Sequence, residues 1–195
     1  MELLPADQFL PWARTMGIIL DPVYSTPKCL VYQSDATERR WWNTPADPEE
    51  ITRFLSHLLN GLGPWRFCSV WRRGGSWPNL DPPRNRLEAS RRLVEIGPAI
   101  PHGFAGAVKY TADELSHLVG RVAAHVKSGW CVQDDLFIIP DDGQHILQTD
   151  HHGVVHVSCL DGTSMKRLIE HMANTGYSLP TEPLDWTFKW PSWMA

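Results

Sequence analysis

The chain contains no C-x-x-C pair, and its four cysteines, Cys29, Cys68, Cys131 and Cys159, lie far apart. That spacing predicts reduced, buried thiols. No stretch of about 18 apolar residues occurs, which excludes a membrane-spanning helix. The opening residues, MELLPADQFLPWARTMG, lack the basic-then-apolar order of a secretory signal. A cytoplasmic location is the resulting expectation. No glycine-rich phosphate loop is present, and Ser158 and Ser164 lack the paired glycines of a nucleophile elbow.

Positive charge is missing from one long segment. Between Lys127 and Lys166 there is no Lys or Arg, while six acids occur: Asp134, Asp135, Asp141, Asp142, Asp150 and Asp161. The opposite bias lies upstream, where Arg66, Arg72, Arg73, Arg84, Arg86, Arg91 and Arg92 face only Asp81 and Glu88. The two segments can meet within the fold, meet across a dimer, or stay apart as solvated faces.

What the chain has in excess is tryptophan, ten in 195 residues, together with sixteen prolines. The length suits one α+β domain over 1–195, long enough to bury a core without disulfides or metal. A faint echo, Leu55-Ser56-His57-Leu58 against Leu115-Ser116-His117-Leu118, is compatible with a weak two-part organisation at 1–97 and 98–195.

Local patterning predicts the elements. Residues 6–16 suit a first helix ended by Gly17, and CLVYQS (29–34) a short strand. In ADPEEITRFLSHLLNGLG, Asp47 suits the N-cap, Pro48 the first helical position and Glu50 the third. Ile51, Phe54, Leu55, Leu58, Leu59 and Leu62 form one apolar stripe, with Gly61 and Gly63 as the stop. WRFCSVWRR alternates as a strand does, and GGSWPNLDPPRN (74–85) has loop composition. RLEASRRLVEIG suits a helix and GAVKYT a strand. Thr111 and Glu114 make a capping box for a helix lined by Leu115, Leu118, Val119, Val122 and Val126. That helix also carries His117, Arg121 and His125 in a row, which reads as a solvated surface. A last helix starts at Asp161 or Thr163 and stops at Gly176, and the tail LDWTFKWPSWMA alternates as an extended segment.

Four of the nine histidines lie in HILQTDHHGVVHVSC, residues 145–159. The preceding DLFIIP suits a buried strand, and PDDG a turn. QHILQTD and VVHVSC then pair as a hairpin around HHG, with Gly153 left-handed at the turn. Asp150 faces Val154, Gln148 faces His156 and Ile146 faces Ser158. On the other face, Thr149 meets Val155, Leu147 meets Val157 and His145 meets Cys159. The segment LQTDHHG is similar to the strand-ending Asp-His-His triplet of the DHH phosphoesterases. The likeness covers about seven residues, and the upstream Asp-x-Asp pattern that shares the metals in that family has no counterpart here, only isolated acids such as Asp21 and Asp35.

These features lead to an antiparallel sheet anchored by a C-terminal β-meander, with amphipathic helices packed mainly on one face. The leading functional expectation is a non-catalytic, bacterial-type cytosolic protein with an immunity-like or adaptor role and no cofactor. It would bind another protein, or itself, through Arg66, Trp71, Arg72, Arg73 and Trp77, since Arg and Trp dominate protein-binding hot spots. Arg39, Arg40, Trp41 and Trp42 add to that set. An acidic chain without a recognised motif argues against nucleic acid as partner. The alternative is a metal-dependent hydrolase holding one divalent transition metal on Asp150, His152 and His156. Cys159 opposite His145 is the one thiol–imidazole pair suggested by the register, and it reads as a buried thiol.

Overall fold

In the computed structural model the described residues are all except 23–28, 35–36, 78–99, 102, 129–134 and 184–195. The helix expected at 86–97, most of the 74–85 loop and the alternating tail lie outside them.

Alternation of side chains along the strands explains how one sheet serves two cores. The strands are β1 (Glu2–Pro5), β2 (Ile18–Leu20), β3 (Leu30–Tyr32), β4 (Glu38–Asn43), β5 (Phe67–Ser76), β6 (Ala105–Thr111), β7 (Leu136–Pro140), β8 (His145–Asp150) and β9 (Val154–Cys159). Seven of them form a sheet in the order β1-β6-β5-β7-β8-β9-β4, and β2 and β3 pair separately. Every recorded pairing is antiparallel. The large sheet draws strands from both halves of the chain, so the 1–97 and 98–195 portions share one sheet.

The helices are α1 (Ala6–Thr15), α2 (Pro48–Gly61), α3 (Leu115–Ser128, entered through a 3-10 turn at Ala112–Glu114) and α4 (Gly162–Asn174). Phe54, Leu55, Leu58 and Leu59 of α2, Leu118, Val119 and Val122 of α3, and Met165, Leu168 and Met172 of α4 share one core. The strand residues Trp42, Val70, Val108, Ile138, Leu147, Val155 and Val157 complete it. The alternate strand residues Trp71, Ala107, Phe137, Ile139 and Ile146 join Phe9 and Ala13 of α1 and residues of β2 and β3 in a second core. Three helices thus share a core on one face of the sheet, while α1 and the small sheet occupy the other.

The caps follow the sequence. Asp47 accepts the Glu49 and Glu50 amides at the start of α2. Thr111 and Glu114 make the capping box. Asp161 accepts the Thr163 and Ser164 amides at the start of α4. Two glycine readings change. Gly61 is not the stop of α2 but its last residue, and a Cβ there would come within 2.6 Å of the His171 ring and 2.8 Å of Leu168. It is a close-approach position between α2 and α4; Gly63, at φ 97°, takes the left-handed role. Gly74 and Gly75, read as loop, belong to β5, where their positive φ accompanies a register shift between Trp71 and Ser76. The strand therefore runs to Ser76, and the Trp77 indole donates to the Gly106 carbonyl at 2.9 Å.

Candidate functional site: the hairpin tip and the β4 edge

The β8–β9 hairpin has the register read from its sequence, from His145 opposite Cys159 to Asp150 opposite Val154. Gly153 turns the chain at φ 78°, and its amide donates to the Asp150 carbonyl at 3.0 Å. His151 and His152 stand at the reversal. The sheet face away from α2, α3 and α4 carries Asp150, His156 and Gln148, because these positions alternate with the core residues Leu147, Thr149, Val155 and Val157.

Two carboxylates organise this face. The Asp150 Oδ1 lies 2.6 Å from His152 Nδ1 and also accepts the His152 amide at 2.8 Å. Its Oδ2 lies 3.5 Å from His156 Nε2. Burial would raise the Asp150 pKa, but bonds from His156 and His152 and the charge of His151 outweigh it and hold the carboxyl well below its ordinary range.

The second carboxylate, Asp135, is fully buried. It accepts from Arg73 Nη1 at 2.7 Å, from Gln148 Nε2 at 3.2 Å and from the His151 amide at 3.1 Å. The His151 Nδ1 lies 3.1 Å from the same carboxylate. That bond raises the His151 pKa against the opposing effect of burial. Arg39 reaches Gln148 Oε1 at 3.1 Å, so the network extends to β4.

The oppositely charged segments therefore do meet within the fold. Arg73 pairs with Asp135, and Arg66 pairs with Asp141 at 2.8 Å. These pairs dispose of much of the expected Arg/Trp binding set. Trp71 and Trp77 are core residues, and Arg72 is buried with its Nη1 on the Ser76 carbonyl at 2.9 Å. Arg73 lies under the hairpin. Only Arg66 keeps an exposed side chain. The five do not form one exposed surface, because period-two alternation in β5 sends Trp71 into the second core and Arg72 to the opposite side.

For a metal, the donor atoms among the described residues that lie within 4.8 Å of one another belong to Asp150, His151 and His152. His156, expected as a ligand, touches Asp150 but is not part of that triplet. Sequence reasoning counted Asp135 among the six acids of the negative segment and placed it at the start of a strand, but did not single it out as a site residue; its signal was the charge asymmetry between its segment and the arginine-rich one. Burial raises the pKa of Cys29, Cys68 and Cys159, which leaves them as thiols.

A second set of features lies at the sheet edge. Among the described residues β4 pairs only with β9. The Thr44 amide donates to the Gly153 carbonyl at 2.9 Å. Ladder alternation from that bond turns the Arg39, Trp41 and Asn43 amides to the outer side. Arg39 and Asn43 are exposed, Arg40 and Trp41 half-buried. No helix among the described residues is long and apolar enough to cross a membrane. Comparison with protein-family models, curated proteins and solved structures returns no match.

Proposed function

We propose that the chain is a non-catalytic protein-binding domain, in an immunity-like or adaptor role, that receives an extended acidic segment of a partner protein along β4. The observation carrying this reading is the β4 edge itself: outward amides at Arg39, Trp41 and Asn43 beside two guanidinium groups and a half-exposed indole. Edge strands commonly accept an added strand, with main-chain bonds supplying affinity and side chains supplying choice. Arg39 and Arg40 project to opposite faces of the sheet and attract acids on either side of an incoming strand. The earlier Arg/Trp chemistry is retained, but at 39–41 and not in β5.

The test is photo-crosslinking in the native host from a reactive residue substituted at Arg40 or Asn43, with Glu170 on α4 as control position. The reading requires one discrete partner at the β4 positions, absent at Glu170 and lost on adding Arg39→Glu. Crosslinking to a second copy would assign the edge to self-association. No product, or the same products from Glu170, contradicts the proposal.

A further inference from the structure

We propose that Asp150, His151 and His152 bind one divalent transition-metal ion of the zinc class at the tip of the β8–β9 hairpin. The site stands independently of the β4 edge. Three observations carry it: the spacing of the donors, the support behind them, and the open side of the rings.

A tetrahedral zinc site with nitrogen and oxygen bonds of about 2.0–2.1 Å places its ligand atoms about 3.3–3.4 Å apart. The Asp150 Oδ1 lies 3.6 Å from His151 Nδ1 and 2.6 Å from His152 Nδ1. These two separations lie on either side of that value, and the three donor atoms all lie within 4.8 Å of one another, so binding requires the rings to turn and the His152 Nδ1–Asp150 hydrogen bond to open. The two imidazole rings are already neighbours, with centroids 4.1 Å apart and planes tilted by 43°.

The support is unusually complete for a hairpin tip. Asp150 is fixed by its strand position opposite Val154, by the His152 amide and by His156 on its other oxygen. His151 is fixed by the hydrogen bond its backbone amide donates to Asp135, which is held in turn by Arg73 and Gln148. On binding, the His151 ring exchanges its Nδ1 contact with Asp135 for the ion, while its amide keeps that carboxylate.

The rings remain partly open, with side-chain exposures of 14% for His151 and 16% for His152. Three protein donors with an open side leave a fourth position for water. Two imidazoles and one carboxylate, with no thiolate, suit Zn²⁺, Co²⁺ or Ni²⁺ better than Ca²⁺, which takes oxygen ligands, or Cu⁺, which favours sulfur.

The test uses the full chain, stripped with chelator and titrated calorimetrically with Zn²⁺ alone, then with Co²⁺ alone while the visible spectrum is followed. The expected result is about one ion per chain, Co²⁺ bands of a low-symmetry four-coordinate site, and weakening of at least about tenfold in His151→Ala and in His152→Ala. His152→Gln keeps a turn side chain of similar length, so circular dichroism of both His152 variants separates loss of ligand from loss of fold. His117→Ala, on the exposed side of α3, should bind as wild type. No binding by the folded wild type, or equal binding after both His151→Ala and His152→Ala, overturns the proposal.

Discussion

Asp135 and Arg73 form an ion pair at 2.7 Å beneath the hairpin tip, with the carboxylate wholly removed from solvent. Two segments of opposite charge bias are joined there, and the same carboxylate holds Gln148 and the His151 amide. Removing one partner of such a pair leaves a buried charge uncompensated, at a typical cost of about 3–5 kcal/mol. Asp135→Ala should therefore lower unfolding free energy by about that amount in urea denaturation. A loss below about 1 kcal/mol, the range of exposed pairs, would show that the network is solvated.

A pH dependence follows from His145. Its side chain is buried opposite Cys159, and neither ring nitrogen has a hydrogen-bond partner among the described residues. Burial lowers its pKa; Asp142 and Asp161 oppose that shift and Arg167 adds to it. Above the ordinary value of 6.5 both folded and unfolded chains carry the neutral ring. Below it the unfolded chain takes up a proton before the folded chain does, so this contribution to stability falls as pH falls. The melting temperature of wild type should drop further between about pH 7.5 and 5.5 than that of His145→Leu, since only the former titrates at this position. Equal slopes would remove His145 from the account.

Gly61 tests the crossing of α2 and α4. A methyl group there meets the His171 ring and Leu168. The His171 Nε2 also contacts the His57 carbonyl at 3.0 Å, which limits how far the ring can move. Gly61→Ala should destabilise by about 1–3 kcal/mol, the usual cost of overpacking, even though alanine favours helix. Stabilisation in a thermal melt would instead show that the helices part freely.

Asp47 is a simpler case. Its carboxylate accepts two amides at the start of α2, at 2.7 and 3.1 Å. Asp47→Ala should cost about 1 kcal/mol. Asp47→Asn, which retains an acceptor, should lose much less in the same denaturation series.

Elements with a strong local rule were legible in the sequence. Alternation and a single turn glycine set the β8–β9 register, and Asp47, Thr111 and Asp161 marked helix starts because caps are local. Long-range choices were not legible. β4, which holds Arg39 and Trp41, lies far in sequence from its partner β9, and ERRWWN has no clear period. Gly74 and Gly75 looked like loop because a bulge and a loop make the same demand on φ. The arginines of β5 looked like a surface because sequence shows charge but not which acid lies beneath it. Asp135 was therefore not singled out, and Arg73 was assigned to a partner that proved to be inside the fold.

The most direct test of the binding claim is amide hydrogen exchange along residues 38–43, measured with and without the partner captured at β4. Free protein should exchange the Arg39, Trp41 and Asn43 amides quickly, and partner should protect those three. Protection confined to other parts of the chain, with these amides still exchanging at the free rate, would contradict docking at this edge.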